Sequence, residues 1–260
     1  MNYPTWSDLN NDAIVPPLGA RQAPDIGPMA LLVSTEPDIR YLRTTLKNPK
    51  TQVFFMGSLM TPDTEPRGFS VAGPYIGAPY GVMLLESLIA KGAKQIVVLG
   101  WCGALTPDLA CGDLVIPEYA IVDEGTSCSY TVLDRQLPST RPDKELSDQL
   151  AAHLTDSGVK ASRLPIWTTD AIYRETPQKV SWFREKGAFA VEMECSALFA
   201  VAAYRKVKIT ALLVVSDSLA SGSGEWNPGF RKKTFKAARK SACTSVLSFV
   251  EKYCEDKNEH

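Results

Sequence analysis

Apolar residues along this chain fall into two rhythms, and they alternate from one end to the other. Short, nearly continuous apolar runs mark buried strands: Met29–Val33, Gln95–Leu99 and Ile209–Val215. Val53–Met56, Phe69–Val71, Gly112–Ile116, Tyr119–Val122, Ser162–Trp167 and Ala190–Val191 read as further strands. Between them the spacing turns helical. Ile39, Leu42 and Leu46 share one face, and Val82, Leu85, Leu88 and Ile89 share another in a helix from Pro79 to Lys91 that Gly92 stops. Leu146–Leu154, Pro177–Lys186 and Ala197–Arg205 continue the pattern. A long helix from Phe230 to Tyr253 closes it, with Phe235, Ala238, Ala242, Val246, Phe249 and Val250 as its stripe. Residues 1–28 hold five prolines and little periodicity, so they read as an irregular arm. Gly73–Gly77, Gly100–Gly103 and the polar stretch 123–142 read as loops.

The alternation predicts one α/β domain over 29–260, a twisted mixed sheet between two helix layers. In such sheets, ligands collect at the carboxyl ends of strands. Those ends here carry Ser34-Thr35-Glu36, Gly73–Gly77, Gly100–Gly103, Glu192–Glu194 and Ser216-Asp217, so one cleft is expected.

Composition narrows the function classes. The 260 residues carry 28 Lys and Arg against 29 Asp and Glu, a net charge of -1, which leaves no electrostatic footprint for nucleic acid. No apolar run approaches the roughly 20 residues that span a bilayer, and the first residues lack the pattern of a signal peptide. A cytoplasmic protein with six free cysteines is the expectation. Two histidines and no paired-cysteine spacing point away from a metal site, and no organic cofactor is implied. His153 lies in a helical stretch with no nucleophile signature beside it, so it reads as a helix residue.

Three segments carry candidate chemistry. Glu192-Met193-Glu194 places two carboxylates just before an apolar helix. Acids there are common dipole partners. A sugar gives the alternative: one carboxylate takes vicinal hydroxyls while the thioether packs on the ring. Asp217 ends a buried strand, as a structural acid or as a proton donor. The glycines of Gly77-Ala-Pro79 and Gly100-Trp101-Cys102-Gly103 let backbone amides approach a ligand, though neither segment is a complete phosphate-binding fingerprint.

Taken in order, these pieces resemble the nucleoside phosphorylase-I superfamily of purine nucleoside phosphorylases, uridine phosphorylases and methylthioadenosine nucleosidases. The resemblance runs from about Ala30 to Val250 and is most specific at Val191-Glu-Met-Glu194 and Val215-Ser-Asp217. It implies cleavage of a nucleoside N-glycosidic bond. Met193 and Glu194 would hold the ribose, with Glu192 supporting the same loop. Asp217 would meet N7 of a purine. Ile172 or Tyr173 would wall the base and Arg174 would read it, with a loop ion pair between Asp170 and Arg174 as the alternative. The resemblance also implies a homo-oligomer, a dimer or a trimer of dimers, with a site completed by the neighbour.

The chain departs from the family at the anion site. Phosphorylases of the superfamily carry Gly-Asp-Pro-x-Arg where this chain has Thr35-Glu36-Pro37-Asp38-Ile39-Arg40. Val98 stands in place of a second arginine, Trp101 in place of a small hydroxyl residue, and Gln52–Phe55 offers no third arginine. Arg40, Arg43 and Arg67 are the substitutes a phosphate dianion would need. Glu36 or Asp38 would instead serve as the base of a hydrolase. Trp101 either fills the space open to phosphate or packs behind the loop. The leading expectation is phosphorolysis of a purine nucleoside, with inorganic phosphate as co-substrate. Hydrolysis comes second, and a nucleoside-binding protein without catalysis third.

Overall fold

The structure is a computed structural model. It describes residues 9–20, 26–46, 48–63, 68–220 and 225–258. Parallel strands form the spine. β1 (Met29–Val33) lies between β4 (Phe69–Gly73) and β5 (Gln95–Ala104), parallel to both, and β10 (Lys208–Ser218) runs parallel along the other side of β5. β4 continues into an antiparallel meander of β3 (Gly57–Thr61) and β2 (Lys50–Phe54). Only half of this hairpin is foreseen from Val53–Met56, because its apolar run straddles the turn at Phe55-Met56.

On the other side the sheet curls. β6 (Leu114–Asp123) pairs antiparallel with β10 and parallel with β8 (Ser162–Thr169). β8 runs parallel to β9 (Ala190–Glu192), and β9 returns antiparallel to β5. Strands β5, β10, β6, β8 and β9 therefore close a ring inside the mixed sheet. The two strands foreseen around Pro117 are one. A register shift between Pro117 and Ala120 absorbs the missing N–H, as a bulge does for proline. The stretch 123–142 holds a single 3-10 turn at Ser127–Ser129 and a two-residue strand, β7 (Ser139–Thr140), on β6.

Two helix layers cover the sheet, as the alternation predicts. α2 (Ala78–Ala90) and α5 (Cys195–Arg205) pack on one face, with Leu84, Leu85, Leu198 and Val201 against Leu32, Val98 and Val215. α1 (Glu36–Thr45), α3 (Lys144–Asp156) and α6 (Lys233–Asn258) pack on the other, with Ile39, Leu42, Leu146, Leu150, Val246 and Val250 against Leu31, Val97 and Leu212. α4 (Pro177–Glu185) covers the ring's outer wall, where Phe183 stacks on Trp167 at 4.1 Å. His153 lies on α3 with its ring against Phe249. The described arm residues 9–20 form neither helix nor strand. Residues Leu9 to Leu18 line a cavity of about 620 Å³ against α2 and α5. Among the described residues no helix is long and apolar enough to cross a membrane.

Candidate active site

Gly103 is the hub of the site. On β5 it faces Val191 of β9 on one side and Asp217 of β10 on the other. A Cβ there would lie 2.9 Å from Leu219, 3.3 Å from Asp217 Oδ2 and 3.4 Å from Val191, so only glycine admits both neighbours so closely. This register brings together the two motifs that stand furthest apart from their meaning in the sequence, Glu192–Glu194 and Asp217. The loop expected at Gly100–Gly103 is strand, because β5 continues to Ala104 between these partners.

Glu192 is a buried brace. Its Oε2 accepts the N–H groups of Glu194 at 2.7 Å and Cys195 at 2.8 Å, and Thr168 Oγ1 donates to its Oε1. Ser196 in turn donates its N–H to Thr168 at 3.1 Å and its hydroxyl to Glu124 at 3.0 Å. Glu194 sits at the N-terminus of α5, buried, and its Oε1 accepts the Gly77 N–H at 2.6 Å. Gly77 has a φ of +82°, which glycine alone adopts freely, and this turn aims its amide at the carboxylate. No ion pair among the described residues reaches either glutamate. Burial raises both carboxyls. Glu194, beside Glu192 and with fewer donors, is pushed up to about 8 by burial first and the neighbouring carboxylate second. Met193 lies half-buried between them. Tyr75, missed by the sequence pattern, stands next to the pair. Its hydroxyl is buried without a partner, and burial together with Glu194 raises it far above the phenol range.

Asp217 accepts the Ser216 hydroxyl at 2.6 Å and the Trp226 indole N–H at 2.7 Å. Glu175, also unforeseen, lies close enough to feel it. Burial first and the charge of Asp217 second push Glu175 up to about 7, against the pull of Lys179. The foreseen base readers are less enclosed. Ile172, Tyr173 and Arg174 form an exposed 3-10 turn in which Tyr173 is 96% exposed, so none of them walls a pocket within this single chain. Asp170 accepts the Gly125 N–H at 2.9 Å, and no ion pair joins it to Arg174.

The anion corner is built differently from the sequence expectation. Asp38 is fully buried and saturated. Its Oδ2 takes the Thr35 hydroxyl at 2.7 Å and the Trp101 indole at 2.8 Å, while its Oδ1 takes Arg239 at 2.7 Å and the Cys243 thiol at 3.4 Å. It is a structural anchor between α1 and α6, with no lone pair facing water, which corrects its reading as a base. Glu36 is exposed and paired with Arg40 at 3.1 Å on the outer side of α1. Neither therefore enters the cleft, because helical spacing of four turns both outward. Trp101 packs edge-on against Phe235 at 4.9 Å on the α6 face, while Cys102 belongs to the opposite face under α2 and α5. The indole thus packs behind the sheet. Cys102 is buried, its thiol raised by that burial, and its carbonyl lies 3.2 Å from Ser216 Oγ, whose proton goes to the nearer Asp217. Arg43 is exposed and reaches Ser58 at 3.2 Å, and Arg67 lies outside the described residues. Gly100 faces Ser34, whose Oγ would lie 3.1 Å from a Cβ at that position. Among the described residues no group of three His, Cys, Asp or Glu is placed to hold a metal.

Comparison with known proteins agrees with this geometry. The sequence profile of the phosphorylase superfamily matches residues 23–251. A guanosine phosphorylase of Halorubrum lacusprofundi is 30% identical over 148 residues, 57% of this chain and 60% of that protein. A DeoD-type purine nucleoside phosphorylase of Caldanaerobacter subterraneus is 30% identical over 169 residues, 64% of this chain and 71% of that protein. The fold matches a purine nucleoside phosphorylase of Toxoplasma gondii crystallised with immucillin-H, with a TM-score of 0.79 at 19% identity over 95% of this chain and 99% of that one. It also matches a Campylobacter jejuni 5'-methylthioadenosine/S-adenosyl homocysteine nucleosidase, with a TM-score of 0.73 at 23% identity over 88% and 100%.

Proposed function

The chain belongs to the phosphorylase superfamily, and from that premise we propose that it cleaves the N-glycosidic bond of a purine nucleoside and transfers the ribosyl group to inorganic phosphate. One observation carries the reading. Gly103 pairs with Val191 of β9, which leads into the Glu192–Glu194 turn, on one side and with Asp217 of β10 on the other, so the candidate sugar-binding and base-binding carboxylates flank one strand end. Glu194 takes the Gly77 amide and the backbone of Met193, and no cation reaches it among the described residues, so free lone pairs, or its proton, are left for the 2′ and 3′ hydroxyls of ribose. Met193 packs on the sugar. As the bond between C1′ and N9 breaks, its electron pair passes into the purine, N7 takes up the proton that hydrogen phosphate gives up in the net reaction, and Asp217 accepts a hydrogen bond from that N–H. A phosphate oxygen bonds C1′, giving ribose-1-phosphate and the free base. Positive charge develops on the sugar at C1′ in the transition state, where the incoming phosphate oxygen meets it, so the site binds the transition state better than the ground state. The names of the guanosine and purine nucleoside phosphorylase relatives support phosphate as acceptor and a purine as leaving group.

A second reading, transfer to water, is favoured by one feature. The corner where phosphorylases place arginines here holds Asp38, already neutralised by Arg239, and Arg40 is spent on Glu36. Homo-oligomerisation belongs to the proposal as well. Ile76, beside the Gly77 that meets Glu194, and Val53 and Met56 on the β2–β3 hairpin are the exposed apolar residues it would cover.

The test is release of free base from guanosine, inosine, adenosine, uridine and methylthioadenosine, with and without phosphate. Release from purine nucleosides that requires phosphate and yields ribose-1-phosphate is expected. Equal release without phosphate establishes hydrolysis. Binding without release sinks both.

A further inference from the structure

The strand end that carries Asp217 folds back on itself. β11 (Asn227–Pro228) pairs antiparallel with β10, Asp217 opposite Pro228 and Ser218 opposite Asn227. The Gly229 N–H then donates to the Ser216 carbonyl at 2.9 Å and fastens the return. The residue just before β11 is Trp226. Its ring is 59% exposed, yet its only polar atom is committed, at 2.7 Å, to Asp217 Oδ2. The opposite oxygen, Oδ1, takes the Ser216 hydroxyl at 2.6 Å. The ring leans on Phe230, with centroids 6.1 Å apart, and Phe230 leans on Trp101 at 6.0 Å, so the indole is braced from behind by a row of aromatic rings.

We propose that Trp226 is a positioning residue for Asp217: its indole N–H and the Ser216 hydroxyl grip the carboxylate by both oxygens and fix the plane in which it meets the leaving base. The inference rests on the reading of Asp217 given above. A carboxylate held by one oxygen swings about its last torsion. Held by two donors, one on β10 and one just before β11, it keeps one plane, and each oxygen retains a second lone pair for the purine. Preorganisation of this kind acts on the rate more than on ground-state affinity, since displacement by about 1 Å costs on the order of 100-fold. An exposed ring also tolerates substitution without loss of the fold, which keeps the idea open to direct test.

The experiment is a double-mutant cycle on base release, using the purine nucleoside the wild-type protein cleaves fastest. Trp226→Phe keeps the ring and removes the donor. It is expected to lower kcat by roughly 10- to 100-fold with KM within about threefold. In an Asp217→Asn background the same change is expected to cost less than about twofold, because the group it positions is gone. Trp226→Ala serves as a second variant with the same expected split. A full additive loss in the Asp217→Asn background, or a loss confined to KM, overturns the positioning role. Wild-type rates in Trp226→Phe with an impaired Asp217→Asn overturn it while leaving the role of Asp217 intact. Wild-type rates in Asp217→Asn overturn the reading of Asp217 itself, and with it this inference.

Discussion

Two buried carboxylates sit near helix N-termini in this molecule, and they have opposite fates. Asp38, in the first turn of α1, is met by Thr35, Trp101, Cys243 and the guanidinium of Arg239. Glu194, at the start of α5, is met by the Gly77 amide and by the repulsion of Glu192. Helix dipole and burial are similar at the two places. The difference is a cation and a full set of donors. Where they are supplied, the acid becomes a fastener between two helices. Where they are withheld, the acid keeps its proton and unspent lone pairs, and it is poised to bind a polyhydroxyl ligand. A buried acid therefore announces function by what it lacks.

The comparison can be broken at either end. The largest effect is expected at the unsatisfied end: Glu194→Ala should lower kcat/KM for a purine nucleoside by about 1,000-fold or more, roughly 4 kcal/mol, measured as base release under first-order conditions. A variant that keeps a tenth of the activity would remove Glu194 from the site. At the saturated end the loss should be in stability. Asp38→Ala strands Arg239 and should cost about 3–5 kcal/mol in urea unfolding. A change under about 1 kcal/mol would show the anchor to be dispensable.

A pH series sharpens the contrast further. Glu194 is raised from an ordinary value near 4.5 to about 8, so the folded state binds its proton more tightly than the unfolded chain does. Its contribution to stability is full below about pH 4.5 and is lost as the pH rises through about 8. Glu194→Gln keeps an oxygen for Gly77 and cannot ionise. It should melt above the wild type at pH 8, with the gap closing toward pH 5. A constant gap across that range would refute the raised carboxyl. The smallest effect belongs to the exposed pair: Arg40→Ala should change stability by less than about 0.5 kcal/mol and leave the phosphate requirement unaltered. If it abolishes that requirement instead, the anion site lies on the outer side of α1.

Much of this was legible in one dimension. The central strands announced themselves as apolar runs because both faces are covered, and the long stripe of α6 as well as the apolar row of α2 was visible in their spacing. The Glu192–Glu194 and Asp217 corner was readable because its residues lie in short contiguous motifs. What was hidden depends on pairing across distance. Asp38 meets Arg239 and Trp101 through tertiary contacts, and nothing in the local turn distinguishes a fastener from a base. Tyr75, Glu175 and Trp226 owe their meaning to neighbours placed by the fold. The exposure of the turn at Ile172–Arg174 was not legible, because sequence order says where a loop begins and not which way its side chains face. The strand end at Gly100–Gly103 was misread as a loop because glycines that admit close neighbours resemble glycines that admit turns.

The ring of strands β5, β10, β6, β8 and β9 has a consequence for the protein in crowded solution. A closed circuit leaves its long strands no row of vacant backbone groups on which a foreign strand could grow. The half of the sheet that carries the carboxylates is sealed against strand recruitment. The opposite half ends at β2, whose residues Lys50 to Val53 are exposed and whose outer rim pairs with no other strand among the described residues. Lys50, Gln52 and the short length of that strand serve as guards against templated aggregation, and misassembly under stress should start there.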